Sequence, residues 1–516
     1  MCLLLLPLSA ELVLPSPEVQ SRLTDFVGSV GDMATTLLET RPSADQAAAP
    51  LTRPSEAVAA LGRRCGKQTL LRNRRVDLLT IGGWVSVAAS IALWLADGGL
   101  AAVNSLGTAL TAVGIVSGLV ATDLMVLMLL LAARIPFIDR AFGHDHAVAV
   151  HSKLGKWTIG GLVLHGWFLV CGYAAMDKLS LPSEISSLLS VNDLVLGVCA
   201  LGILAGVGIS SIVAVKKSLP YEVWHAIHLA TYVAVGLSLP HQFSMSGLFA
   251  EGTWERVYWI GFFVVAGLAL LTFRVILPIF TTMEHGLVVT KVVHEDSDVV
   301  SIEMKGRNLP SLDVAAGQFF HWRFLAKGLW WHQHPFSVSA APTGDTLRIT
   351  VRALGKGTAA LMNVRPGTKV MIEGPYGIFS DKSRTTTGLT LVGIGIGIAP
   401  VRALLEATAV VPGDATVILR AHTANQLYLV REIDALCRAK GARLITLVGP
   451  RHRNRLGESS WLPESHRNDR LVDIAPAVAS SDLYVCGPQA VADLVIADAL
   501  AAGTPRESIH NERFVW

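Results

Sequence analysis

Apolar residues fall along this chain in two rhythms. From Asp77 to Phe280 they form six runs, each close to the ~20 residues that a bilayer crossing needs: Leu78 to Ala96, Leu106 to Ala133, Leu154 to Ala174, Val195 to Val215, Trp224 to His241 and Val257 to Ile279. After Phe280 the runs shorten. Residues 286–382 alternate in LVVTKVV, VVSIEM and LRITVRAL, separated by the turn signals PTGD and RPGT, a pattern of half-buried antiparallel strands. Residues 388–516 instead alternate continuous apolar runs (LTLVGIG, TVILRA, RLITLVG, DLYVCG) with helical stretches (VRALLEATAV, LVREIDALCRA, VADLVIADALAAG). Buried strands alternating with helices predict a parallel sheet covered on both faces. The expected architecture is multi-domain: a six-helix transmembrane bundle over residues 77–280, an antiparallel β-barrel over 285–384 and a doubly wound α/β domain over 388–516.

Residues 1–76 read as an extension without regular structure. MCLLLLPLSA has the apolar core of a signal peptide but no basic residue before it, and RPSADQAAAPLTRPSEAVAA has the composition of a linker. A poorly ordered tail and an overlong gene start, with Met33 as one alternative beginning, both account for it.

Composition sharpens the membrane assignment. Only 16% of the 516 residues are charged and the mean hydropathy is +0.48, far from the roughly one-quarter charged of a soluble protein. The net charge of +3 is spread without a Lys/Arg run, so nucleic acid is not an expected partner. The six cysteines (Cys2, Cys65, Cys171, Cys199, Cys437, Cys486) form neither a zinc pair nor an iron–sulfur grouping nor a disulfide framework. Arg63, Arg64, Lys67, Arg72, Arg74 and Arg75 precede the first run, Arg134, Arg140, Lys153 and Lys156 surround the second loop, and Lys216 and Lys217 occupy the fourth. By the positive-inside rule both termini and the two C-terminal domains lie in the cytoplasm of a multi-pass protein of the cell (plasma or inner) membrane, with the lipid bilayer as its partner.

Histidines inside apolar runs carry the first candidate chemistry, because an imidazole in hydrocarbon must find new partners. His151 and His165 are 14 residues apart; at ~100° and ~1.5 Å per residue they share a face within ~40° and lie ~21 Å apart. Rings so placed suit two stacked haems, each iron held by histidine on both sides. The fifth run contains His225, His228 and His241. His228 and His241 would point ~140° apart on a straight helix, so pairing both with the third run requires a distortion near Pro240, and an undistorted helix counts against it. Spacing does not choose between His225 and His228. His144 and His146, in FGHDHA, lie outside the runs and read as solvated loop residues.

The C-terminal third carries the second. LTLVGIGIGIAPVRALLE places Gly393, Gly395 and Gly397 at the exit of a strand and Pro400 at the start of a helix, where backbone N–H groups favour a pyrophosphate. DLYVCGPQAV puts Cys486, Gly487 and Pro488 at a strand's C-terminal end, the edge at which open parallel sheets bind ligands. Arg420, following TVIL, is either a partner for a 2′-phosphate, favouring NADPH over NADH, or a solvated surface charge.

Taken in order, HPFSVS (His334 to Ser339), VRALGKGTAAL (Val351 to Leu361), GPYG (Gly374 to Gly377), GIGIGIAP, YVCGP and the terminal IHNERFVW resemble the ferredoxin-NADP reductase type of flavoprotein dehydrogenase. The closest likeness is to the branch fused to a ferric-reductase or NADPH-oxidase membrane domain, over about Asp77 to Trp516. That resemblance implies FAD in the barrel, NADPH (or NADH) on the last domain and two haem b groups in the membrane. It sets His334, Pro335, Phe336 and Ser337 along the isoalloxazine, the Ser337 hydroxyl near flavin N5, with Ser339 closing the same cofactor-binding motif. Arg352, Gly355, Gly357 and Thr358 would meet the FAD pyrophosphate. Gly393 to Pro400 and Cys486 to Pro488 would flank the nicotinamide nucleotide, with Glu512 and Phe514 beside nicotinamide and flavin. Ser337, Cys486 and Phe514 are the candidate catalytic positions. The resemblance selects His228 over His225, pairing His151 with His228 around an inner haem and His165 with His241 around an outer one; His225 becomes an interfacial residue near a haem propionate. In one departure, many soluble relatives carry arginine where His334 stands, so part of the pyrophosphate grip comes from elsewhere.

The expected function is a transmembrane flavohaem oxidoreductase that takes electrons from cytoplasmic NAD(P)H through FAD and two haems to a ferric chelate or dioxygen on the far side. One alternative is a membrane-anchored FAD-dependent reductase of a soluble or quinone partner. Another is a haem-binding sensory protein with an inactive dehydrogenase, against which the intact HPFS, GIGIGIAP and ERF elements stand.

Overall fold

The structure is a computed structural model, and it describes residues 54–212, 221–245, 252–453 and 459–513, together with 215, 218 and 219. The N-terminal extension through residue 53, Lys216, Lys217 and Phe514 lie outside the described residues.

Among the described residues six helices are long and apolar enough to cross a membrane: α1 Pro54–Ala96, α2 Leu106–Ala132, α3 His144–Asp177, α4 Asn192–Ser210, α5 Tyr221–Met245 and α6 Trp254–Leu271. Trp84, Trp157, Trp167, Val233 and Val264 are exposed on their outer faces, an arrangement that lipid covers favourably and water does not. Gly107, Gly114 and Gly118 line the side of α2 against which Met176, Leu169 and His165 of α3 pack; small residues let membrane helices approach closely.

One expectation changes here. Helix α1 begins at Pro54, inside the stretch expected to be irregular, because the segment from Val58 onward is rich in helix-forming Ala, Leu, Arg and Lys. It also rests on later chain, with Cys65 buried and its Sγ 3.6 Å from the Thr386 carbonyl. Helix α5 continues through Pro240, so whatever distortion the proline brings does not interrupt the helix between His228 and His241. Proline removes one i→i−4 bond and crowds the carbonyl four residues back, which here belongs to Gly236, a residue with no side chain to add to the crowding. Helix α6 continues through a π-helical turn, Thr272–Ile276, into Leu277–His285, and His285 Nδ1 meets the Arg307 carbonyl at 2.9 Å. The last membrane helix therefore runs directly into the next domain.

That domain is not a closed barrel. It consists of two three-stranded antiparallel sheets, β1-β2-β5 and β4-β3-β6, with β1 Val288–Asp296, β2 Val299–Lys305, β3 Phe319–Phe324, β4 His334–Ser337, β5 Thr346–Arg352 and β6 Val370–Tyr376. The isolated bridges Val288 with Lys369 and Val338 with Ile349 join them, with a few further backbone bonds such as Val289 N–H to the Thr368 carbonyl, and the register of β1 against β2 is irregular. Val300, Ile302, Phe320, Trp322, Phe324, Leu347 and Ile349 form the shared core.

The last domain holds five parallel strands in the order β13-β12-β7-β8-β9: β7 Gly388–Ile394, β8 Ala415–Ala421, β9 Arg443–Val448, β12 Ser481–Gly487 and β13 Ile509–Arg513, with β10 Arg451–Arg453 and β11 Ser459–Pro463 as a separate antiparallel pair. Successive strand residues face opposite sides. Leu391, Val417, Leu419 and Tyr484 pack with α7 Ile398–Ala407 and α8 Val430–Lys440, while Val392, Ile418 and Val485 pack with α9 Gln489–Ala501 on the other face.

Candidate functional site

The HPFS motif forms β4, the short edge strand of its sheet. The His334 and Phe336 rings, two residues apart on a strand and hence on one face, lie nearly parallel with centroids 5.7 Å apart. A Cβ on Gly357 would sit 2.8 Å from the His334 ring, so the absence of a side chain there lets the VRALGKGTAAL turn close onto HPFS. Thr358 Oγ1 caps that turn by accepting from the Leu354 and Gly355 N–H groups. Arg352 is not free: its Nε donates to Asp298 Oδ2 at 2.7 Å. Burial and the neighbouring His332 push His334 down to about 4, so it is neutral at pH 7 and brings no charge to a phosphate. Ser337 Oγ, Ser339 Oγ and His334 Nε2 are buried without a hydrogen-bond partner among the described residues. Buried polar atoms normally have partners, and three orphans along one motif fit a bound polar ring such as a flavin.

In the parallel sheet Gly393, Cys486 and Glu512 are register neighbours on β7, β12 and β13, a row across the C-terminal ends of adjacent strands. A Cβ on Gly397 would collide with the Cys486 carbonyl, so the Gly-rich turn and the CGP turn touch. Gly395 completes the turn with φ +57°, and Pro400 lies within the first turn of α7. Cys486 and Gly487 are buried while Pro488 is exposed. Glu512 reaches the GPYG turn, its Oε2 3.2 Å from where a Gly377 Cβ would stand. Arg420 behaves differently from either expectation. It is buried, and its guanidinium donates to the carbonyls of Trp461, Ala421, Leu447 and Gly449. It stitches strand ends together, whereas Arg451 and Arg453 nearby are exposed.

In the bundle, His151 of α3 and His228 of α5 face one another with ring centroids 6.0 Å apart. Two imidazoles on opposite sides of one metal, with bonds of ~2 Å, have centres about 6 Å apart. The Nδ1 atoms of His151 and His165 point at the carbonyls of Met128 and Gly114, at 3.3 and 2.8 Å; a histidine that donates there keeps Nε2 as an acceptor, the usual support of a metal-bound ring. Gly118 and Gly197 leave room for the His165 and His241 rings, since a Cβ at either would strike the imidazole. His241 Nδ1 is buried without a partner among the described residues. These donors fit haem. Among the described residues His165 and His241 make no ring contact of the kind that joins His151 and His228. His225 is half-buried one turn before His228.

Sequence reasoning missed the junction between bundle and sheets. His144 is no solvated loop residue: it begins α3, is half-buried and meets the rings of Tyr376, Phe319 and His321 at 5.7, 5.8 and 6.0 Å. His146 is exposed and stacks on Phe142. Burial, with Arg134 and Arg274 nearby, pushes His144 down to about 4. Glu373 of β6, also buried, accepts from Arg134, Arg274, Gln333 and Tyr376. Burial alone would raise its carboxyl, but the two guanidinium groups and these bonds hold it below the usual range. Asp139 Oδ2 accepts from the Gly377 N–H at 3.2 Å. One signal was available for His144, which precedes His151 by two helical turns on the same face.

Residues 117–239 match the family model of the ferric reductase like transmembrane component, and residues 285–380 match that of an FAD-binding domain. The chain is 27% identical over 239 residues to a flavohemoprotein of Xylella fastidiosa, covering 44% of this chain and 58% of that protein. It is 30% identical over 186 residues to the ferredoxin–NAD(+) reductase component of an alkene monooxygenase system from Xanthobacter autotrophicus, covering 35% and 55%. Over 148 residues it is 28% identical to NADPH oxidase 1 of Mus musculus, covering 28% and 24%. The chain thus spans little more than half the length of the first of these relatives. The likeness read from the motif order is borne out.

Proposed function

We propose, for a chain that joins a ferric reductase-like transmembrane component to an FAD-binding domain, that it moves electrons from cytoplasmic NAD(P)H across the membrane to an acceptor on the far side. The observation that carries this reading is the facing pair His151 and His228, 6.0 Å apart on different membrane helices. When bound, FAD accepts the two electrons of a hydride and releases them singly, and haem carries single electrons onward. His151 with His228 would hold an inner haem, and His165 with His241 an outer one. His334, Phe336, Ser337 and Ser339 would line the flavin, and the turn at Gly355, Gly357 and Thr358 its pyrophosphate. Arg352 is already neutralised in part by Asp298, so backbone N–H groups of that turn would carry more of the grip. Gly393 to Pro400 and Cys486 to Pro488 would receive the nicotinamide nucleotide, with Glu512 and Phe514 closing over it. A ferric chelate or dioxygen is the acceptor.

The unbroken α5 favours a second reading, in which the bundle is chiefly an anchor and the flavin reduces a soluble or quinone partner. An anaerobic spectrum of the detergent-purified protein before and after NADPH separates the two. Flavin bleaching together with reduction of a bis-histidine haem spectrum is expected; bleached flavin beside fully oxidised haem, or no haem at all, would sink the transmembrane route.

A further inference from the structure

Helix α3 carries a third histidine on the face of the proposed iron ligands. His144 precedes His151 by seven residues, and seven steps at ~100° return to within ~20°. Where His151 looks into the bundle, His144 ends among Tyr376, Phe319 and His321 of the flavin-binding sheet. Beside the Asp139 bond to the Gly377 N–H and the bond from the Ile372 N–H to Thr282 Oγ1, the Glu373 carboxylate ties this sheet to two membrane helices at once: Arg134 Nη1 lies 2.9 Å and Arg274 Nη1 2.7 Å from its Oε1, with the three side chains 14%, 29% and 10% exposed for Arg134, Arg274 and Glu373. Both arginines come from irregular backbone. Arg134, just after α2, has φ +58°, a conformation costly for a long side chain. Arg274 lies in the π-helical turn Thr272–Ile276, a form that concentrates at functional positions. Each membrane helix departs from regular geometry where it sends a guanidinium to the same buried carboxylate.

We propose that Arg134, Glu373 and Arg274 form a clamp that docks β6 on the membrane bundle and fixes the flavin-binding sheet at the cytoplasmic end of the histidine face, with His144 filling the joint. The three are positioning residues for electron passage from flavin to the nearest haem, a role that rests on the transmembrane reading above. At that step one electron leaves the reduced flavin and one ferric iron becomes ferrous; the clamp exchanges neither atoms nor electrons.

The test uses the full chain in detergent, with Glu373→Gln, Glu373→Asp and, because its arginine is the more exposed of the two, Arg274→Gln. Without NAD(P)H, hydrogen–deuterium exchange at residues 371–378 and 134–146 should quicken about tenfold in Glu373→Gln and Arg274→Gln, with β7 unchanged. With NADPH under anaerobic conditions, flavin bleaching should stay within about twofold of wild type while haem reduction slows about tenfold or more, with Glu373→Asp intermediate. Unchanged exchange in Arg274→Gln overturns the clamp, as does quickening spread equally over β7. A wild type whose flavin bleaches over oxidised haem overturns the transmembrane reading and the positioning role with it, and the exchange result then decides docking alone.

Discussion

Asp482 offers a sharp test of how the C-terminal strand is held. Its carboxylate is fully buried near the start of β12. It accepts from the Thr385 N–H (3.0 Å) and Oγ1 (2.9 Å), the Thr386 N–H (2.6 Å) and Oγ1 (2.8 Å), and His510 Nε2 (2.8 Å). It therefore ties the linker between the two soluble domains to β13, the strand that carries Glu512. His510, stacked on Tyr484 at 4.3 Å, is pushed down by burial and donates as a neutral ring. Burial would raise Asp482, but the bonds from His510 and Thr386 outweigh it and keep the carboxylate ionised below its usual range. Asp482→Asn preserves the shape and replaces one acceptor by a donor. The Thr386 hydroxyl can turn to the Gly388 carbonyl, 3.2 Å away, but one backbone N–H must then face an amide N–H. An orphaned buried donor costs ~1–3 kcal/mol and the remaining bonds lose their charge assistance, for a total of about 3 kcal/mol. For domains of ~150–250 residues that is a fall of about 6–12 °C in the unfolding midpoint, read as FAD fluorescence appearing on heating. NAD(P)H-driven flavin bleaching should slow in parallel, because Glu512 loses its anchor. A midpoint within about 2 °C of wild type would show that the carboxylate is not what holds these segments.

Three further outcomes follow from the same geometry. Replacing His228 by Ala should remove the haem signal that depends on His151, while His225→Ala keeps it, as haem content per flavin would report. Arg420→Met leaves four carbonyls without their shared donor and should lower the unfolding midpoint by several degrees, yet the NADPH-to-NADH ratio of kcat/KM should stay within about twofold; a tenfold change would mean that Arg420 reads the 2′-phosphate after all. Burial depresses His144 and His334 to about 4 and lowers His321 and His510 from an ordinary 6.5. The unfolded chain then binds more protons than the folded one below about pH 6.5, so these rings contribute stability that is complete above that pH and lost as pH falls toward 4. Urea midpoints at pH 7.5 and 5.0 should differ accordingly, and equal midpoints would refute the neutral-ring assignment.

The sequence by itself determined what depends on local pattern. Apolar run length set the six membrane helices, strand and helix periodicities separated the two C-terminal domains, and the motif order alone marks His334 to Ser339 and Gly393 to Gly397. Tertiary structure decided what depends on distant partners. Arg420 reads in sequence as following a strand and lies inside β8 in the structure, yet only the folding of β9 and β11 around it supplies most of the carbonyls that claim it. Strand periodicity is the same for a closed barrel and two packed sheets; closure depends on edges that meet only in space. Pro240 marks a place where a helix can kink or rewind, and only the packed bundle shows that α5 continues through it. His144 looked solvated because FGHDHA is short and polar, and its burial comes from Phe319, His321 and Tyr376, more than 170 residues later. Arg134, Arg274 and Glu373 carry no mutual signal at all, since a buried ion cluster assembled from three distant segments leaves no period in the chain.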